Sequence, residues 1–127
     1  MKKLVGSAAL FAAAGSLLIG TATPAQAYAT NYGAIAFSSS AGKIGWSSDF
    51  PDAASAASQA IGECNRSDCK VVARFSNGCG AVAYSRAKGT YTFGAASNLR
   101  TARKQALNRN NGDATITHWN CTSGYES

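Results

Sequence analysis

The side chains able to do chemistry in this sequence are few: one histidine, His118, six carboxylates and four cysteines. Nucleophilic hydrolysis needs a nucleophile, a base to deprotonate it and a group that orients the base. His118 is the sole imidazole, and it falls beside Trp119 on the last predicted strand. Serines are abundant, but none sits in a G-x-S-x-G turn that would expose its hydroxyl between a strand and a helix. The carboxylates Asp49, Asp52, Glu63, Asp68, Asp113 and Glu126 are scattered, and a glycosidase pair would need two of them to meet in space. Gly78-Cys79-Gly80 lies between strands and lacks the helix and lysine of a phosphate-binding loop. Four residues separate Cys64 from Cys69, and neither a second close cysteine pair nor a second histidine completes a zinc set. We therefore assign no catalytic residue, no metal and no cofactor. A small extracellular hydrolase using His118 is the runner-up reading.

The cysteines carry a different message. Cys64, Cys69, Cys79 and Cys121 all lie beyond residue 27, and an even cysteine number in a short exported domain reads as two disulfides. Upstream of them, Lys2 and Lys3 precede an uncharged run from Leu4 to Ile19, then Thr21, Thr23 and Pro24 lead to Ala25-Gln26-Ala27. A basic head, an apolar core and an A-x-A end form a secretory signal cut after Ala27. The run approaches the length that spans a bilayer, but its glycines, serines and polar exit favour cleavage over anchoring. The expected domains are thus a signal peptide over 1–27 and a single secreted domain over 28–127. Removing two lysines leaves ten Lys+Arg against six Asp+Glu, a net charge of about +4. That charge suits anionic surfaces without selecting among them. No transmembrane segment remains after processing, and a monomer is expected.

The elements that must position these groups come in a repeat. Tyr32-Gly33-Ala34-Ile35-Ala36-Phe37-Ser38 returns as Cys79-Gly80-Ala81-Val82-Ala83-Tyr84-Ser85, and Ile44-Gly45-Trp46 as Tyr91-Thr92-Phe93. Gln59-Ala60-Ile61 reappears as Gln105-Ala106-Leu107, and Phe75…Cys79 is matched with Trp119…Cys121. Each half is one supersecondary unit, about 32–79 and 80–121, followed by a tail at 122–127. Alternating apolar residues predict strands at 33–38, 43–47 and 70–76, and their counterparts at 80–85, 90–94 and 114–119. On the third strand, strict alternation puts Val71, Ala73 and Phe75 on one face. Asp49 and Asp52 around Phe50-Pro51 mark a helix entry, with Ala53, Ala57, Ala60 and Ile61 as its stripe and Gly62 as its end. The second helix runs from Ser97 or Asn98 to Arg109 on Leu99, Ala102, Ala106 and Leu107. The fold class is α+β: two pseudo-repeated ββαβ units, with helices packed on mainly antiparallel sheet. A pseudo-twofold arrangement brings equivalent strand ends together and favours Cys64–Cys69 with Cys79–Cys121 among the three possible pairings.

Four blocks together are similar to a known family: Tyr32-Gly33-Ala34-Ile35-Ala36, Asp68-Cys69-Lys70-Val71-Val72 with Arg74-Phe75, Cys79-Gly80-Ala81-Val82-Ala83, and Trp119-Asn120-Cys121. The chain resembles the exported domain of unknown function 4189 family of small secreted mycobacterial and actinobacterial proteins. The resemblance implies export, a disulfide-bonded domain and no established activity, with no catalytic residues to carry over. For members from pathogens it implies a secreted, virulence-associated factor acting towards the host. The chain departs from the family in the tail Thr122–Ser127 and in a more cationic second unit.

Binding is the expected activity. Arg100, Arg103 and Lys104 fall on one side of the second helix, with Arg109 near its end, and like charges at i,i+4 slightly destabilise a helix. They form the candidate anion- or partner-binding set, with Tyr84, Tyr91 and Phe93 as aromatics that could stand near them. The hairpin loops 38–42 and 86–89 are further contact surfaces. No nucleic-acid motif accompanies them. The expected function is a non-enzymatic interaction protein that binds a macromolecule at the envelope or a host surface. An inhibitor of a secreted enzyme is a further alternative.

Overall fold

The computed structural model describes residues 30–126. Their order is β1 (Tyr32–Ser38), β2 (Lys43–Phe50), α1 (Ala53–Cys64), β3 (Lys70–Ser76), β4 (Cys79–Ser85), β5 (Thr90–Ala96), α2 (Leu99–Asn108) and β6 (Ala114–Cys121). Each ββαβ unit forms its own antiparallel three-stranded sheet, β2-β1-β3 in the first and β5-β4-β6 in the second. Ala34 and Ala36 face α1, and Ala81 and Ala83 face α2. Ile35, Ala73, Phe75 and Val82 meet between the sheets. The result is four layers, helix–sheet–sheet–helix, with β3 over β5 on one flank and β2 over β6 on the other.

Local chemistry explains the elements. Gly42 and Gly89, both at φ +64°, close equivalent hairpins by donating their N–H groups to Ser38 and Ser85 carbonyls at 2.8 and 2.7 Å. A left-handed turn residue costs glycine nothing and other residues something, hence its place in both turns. Asp52 and Asn98 are equivalent N-caps, accepting from the third residue on at 2.7 and 2.8 Å. Asp68 secures the first hairpin from outside. Its carboxylate accepts from the Ser38 hydroxyl at 2.6 Å and the Ser40 amide at 3.0 Å. Those donors hold its pKa down at about 2, against 3.8 for an ordinary aspartate.

Alanine and glycine let each helix lie close to its sheet. A Cβ on Gly45 would stand 2.1 Å from the Ala60 carbonyl oxygen, and one on Gly94 would stand 2.2 Å from that of Ala102. Beside each glycine a strand hydroxyl reaches a helix carbonyl: Ser47 bonds to Ala56 at 2.7 Å and Thr92 to Ala106 at 2.6 Å. The two roles are exchanged between the units. Gly45 and Thr92 are counterparts in the repeat, as are Ser47 and Gly94, so each unit keeps one glycine and one hydroxyl in opposite order.

The structure moves several sequence expectations. The buried stripe of α1 is Ala56, Ala60 and Cys64; of the expected set Ala60 belongs to it, while Ala57 is half-buried and Ala53 and Ile61 are exposed. Leu107 is exposed likewise, so α2 buries Leu99, Ala102 and Ala106. The first helix continues past Gly62 to Cys64 and ends on Asn65 in the left-handed region. Asp49 takes no part in helix entry. It is left-handed at φ 63°, in the β-bulge where β2 gains a residue against β1. Strict alternation also fails in β3, because a bulge against β1 turns Val71 toward α1 while Ala73 and Phe75 face the other sheet. The same bulge recurs in β6 against β4.

Cys64 is bonded to Cys69 and Cys79 to Cys121. The second bridge does not join equivalent strand ends across the pseudo-twofold axis. Cys79 and Cys121 are direct neighbours on β4 and β6, Cα atoms 4.0 Å apart, where the first unit pairs Tyr32 with Ser76. Chain entropy makes this bridge the stronger constraint: spanning 42 residues it contributes about 4 kcal/mol, against about 2 kcal/mol for the bridge spanning 5. The tail extends it. Thr122, fully buried, accepts from the Gly78 amide at 3.0 Å through its hydroxyl and donates its own amide to the Gly78 carbonyl at 2.8 Å.

Two stability measurements test this packing. Gly45→Ala should lower the unfolding free energy by about 3 kcal/mol, since neither backbone can yield. Gly62→Ala, on an open helix face, should raise it by about 0.5–1 kcal/mol. Urea denaturation reads both. Thr122→Val keeps the shape and orphans the buried Gly78 amide, so it should cost about 1–3 kcal/mol in the same assay.

Candidate functional site

The β2–β6 flank holds the one imidazole. The bulge at Thr117 turns His118 and Asn120 toward the first sheet, at the places Ala73 and Phe75 occupy in the other unit. The His118 ring lies 6.0 Å from that of Trp46, and its Nε2 is 3.1 Å from Asn120 Oδ1. Asn120 Nδ2 donates to the Ser47 carbonyl at 2.9 Å, which leaves Oδ1 as the acceptor and assigns the His118 proton to Nε2. Burial lowers the His118 pKa below 6.5, and the Asn120 hydrogen bond opposes that in part. His118 and Asn120 therefore form a clip between the sheets. Among the described residues no hydroxyl or thiol is hydrogen-bonded to the imidazole, and no three His, Cys, Asp or Glu side chains gather to hold a metal. Trp119 points out of the same strand and is 41 % exposed.

Arg100, Arg103 and Lys104 all lie on the exposed side of α2, across the helix from buried Leu99, Ala102 and Ala106. The predicted aromatic partners are elsewhere. Tyr84, Tyr91 and Phe93 face the first sheet, where the Tyr91 ring sits 4.4 Å from Tyr84 and 4.6 Å from Phe37. The second sheet thus separates them from the α2 cations. Arg109 also has a structural role, since its Nη1 donates to the Phe93 carbonyl at 2.7 Å. With Gln105 on the Ala95 amide and Asn110 on the Thr90 carbonyl, it covers the free edge of β5.

Sequence reasoning missed a cleft on the β3–β5 flank. It encloses about 320 Å³ between the ends of the two strands, with Phe75, Ala95 and Ser97 among its walls and Arg74 as its one charged residue. No motif marks it. The repeat does not point there either, because in sequence it matches Trp119 with Phe75, and only the registers of the two bulged strands put Arg74 in the position of Trp119.

The clip makes a pH prediction with a definite sign. His118 has a folded pKa below its unfolded value of 6.5, so the unfolded chain binds the proton first. The contribution to stability is complete above pH 6.5 and declines as pH falls through 6.5 toward the folded value. His118→Phe should flatten this part of the stability–pH profile, measured by urea midpoints between pH 7.5 and pH 5.

Comparison with known proteins places the chain. The profile described as domain of unknown function DUF4189 matches residues 32–121. Protein Rv1269c of Mycobacterium tuberculosis is 41 % identical over 90 residues, 71 % of this chain and 68 % of that protein. The uncharacterized protein Rv1813c of the same organism is 41 % identical over 93 residues, 72 % of this chain and 60 % of its own length. An NMR structure of Rv1813c superposes with a TM-score of 0.61 at 37 % identity, covering 72 % of this chain and 74 % of that one. The four sequence blocks, the duplicated ββαβ architecture and these matches agree, and the chain belongs to the DUF4189 family.

Proposed function

We propose that the protein is a secreted, non-enzymatic interaction protein that binds an anionic macromolecule at the cell envelope or a host surface through the outer face of α2. The observation that carries this reading is the exposure of Arg100, Arg103 and Lys104 together on one helix face. The buried side of that helix is held on its sheet by Leu99, Ala102 and Ala106. Three cations on a fixed outer layer offer a partner a preorganised surface, which reduces the ordering cost of association.

The secreted form follows from the signal at 1–27 and cleavage after Ala27, a segment outside the described residues. The two disulfides are compatible with an oxidising destination. No described helix is long and apolar enough to cross a membrane.

Replacing Arg100, Arg103 and Lys104 together by Gln should weaken capture of envelope fractions by about tenfold at low salt, with less difference at high salt where exposed charges are screened. The same variant should keep the parent's unfolding midpoint or gain slightly as the Arg100–Lys104 repulsion is relieved. Unchanged capture at low salt rejects the reading.

A further inference from the structure

The two flanks between the sheets are related by the internal repeat, and they are finished differently. On the β2–β6 flank, the chain beyond Cys121 folds across the ends of the strands. Ser123 donates its amide to Asp49 Oδ1 at 2.8 Å and its hydroxyl to Asp49 Oδ2 at 2.5 Å. The Tyr125 carbonyl then comes to 3.0 Å from Cys79 Sγ. The β3–β5 flank matches it up to one residue beyond the strand. Asn77 and Asn31 exchange hydrogen bonds at 2.8 and 3.0 Å as Thr122 and Gly78 do. From there the chain leaves for β4. The cleft of about 320 Å³ is what the described residues leave open at the position corresponding to the tail's seat.

We infer that this cleft is a binding site for a short, extended, acidic peptide segment, seated as the protein's own tail is seated on the opposite flank. Shape supplies the first argument: the related flank shows that a short segment of small and aromatic residues fits across these strand ends. Charge supplies the second. The tail's seat holds an acid, Asp49, which receives N–H and O–H donors. Asp49 belongs to the bulge of β2, and β5 pairs with β4 without a bulge, so the cleft has no counterpart to it. Its one charged residue is the exposed Arg74, where the other flank has Trp119. A guanidinium takes a carboxylate in a bidentate fork, so the ligand must bring the acid that the wall lacks. Phe75 gives the apolar floor, and Ser97 offers a hydroxyl at the rim. This site is separate from the cationic face of α2, and each stands without the other.

The probe is the tail's own chemistry, the peptide acetyl-Thr-Ser-Gly-Tyr-Glu-Ser, titrated into the isotope-labelled oxidised protein and followed by amide chemical shifts. Saturable shifts confined to Gly33, Ala95, Ala96 and Ser97 are expected. Arg74→Gln should weaken binding about tenfold, as expected for one lost charge-assisted pair. Amidating the peptide's C-terminus and changing its Glu to Gln should have the same effect on the parent protein. Ala53→Trp places a large side chain at the exposed rim and should abolish the shifts while preserving the folded spectrum. The inference is overturned if no saturable shifts occur at the cleft, or if binding is indifferent both to Arg74→Gln and to the uncharged peptide. Shifts on α2 alone would overturn it equally, leaving the helix-face proposal intact.

Discussion

The close approach of each helix to its sheet is the constraint on which this architecture depends. Gly45 and Gly94 leave no room for a Cβ between strand and helix backbone. A neighbouring hydroxyl on each strand bonds to the helix carbonyl that this proximity brings within reach. Alanines on both sides keep the layers thin. Thin outer layers bury little apolar area per residue, and stabilisation scales with that area, so the larger side chains are needed between the sheets. There one ring does unusual duty. Phe75 packs over both Gly33 and Gly80, the same position in the two units, each of which would place a Cβ within 2.7 Å of the phenyl edge.

That shared ring is also where the duplication ceases to be symmetric. The second unit has Asn120 in the place of Phe75 and His118 in the place of Ala73, so one flank joins the sheets by apolar packing and the other by hydrogen bonds. A polar seam requires its donors and acceptors to be paired, and here Asn120 does so by joining His118 on its own strand to the Ser47 carbonyl of the opposite sheet. The cross-strand disulfide and the folded-back tail reinforce the same polar flank. Division of labour between two copies of one unit thus explains why the lone histidine sits where it does, with no appeal to catalysis.

The repeat, the six strands, the two helices and the α+β class could all be read along the chain, because each rests on short-range periodicity and turn chemistry. The phase of α1 could not. Ala53, Ala56, Ala57 and Ala60 are alike in propensity, and only contact with β1 and β2 selects Ala56 and Ala60 for burial. Tyr84, Tyr91 and Phe93 were equally ambiguous as surface aromatics, since either face of a strand admits a ring until a second sheet arrives to cover one. Of the candidate residues, Arg100, Arg103 and Lys104 stand on the exposed side of α2 as helical spacing alone requires. Arg109 does not join them, because its guanidinium is directed to a strand carbonyl that no sequence pattern reveals.

By itself, then, the sequence determined the duplicated unit, the number of bridges, the capped helix starts and the family, all of which follow from residue type and spacing. Only the tertiary structure decided how the two units face one another. Bulges at equivalent points of β3 and β6 invert the alternation of side chains, and the pleat transmits that inversion to every residue beyond. A bulge adds one residue against a partner strand, and nothing local marks where the partner will be. That is why the cross-sheet clip, the seat of the tail and the cleft containing Arg74 emerged only once both sheets were in place.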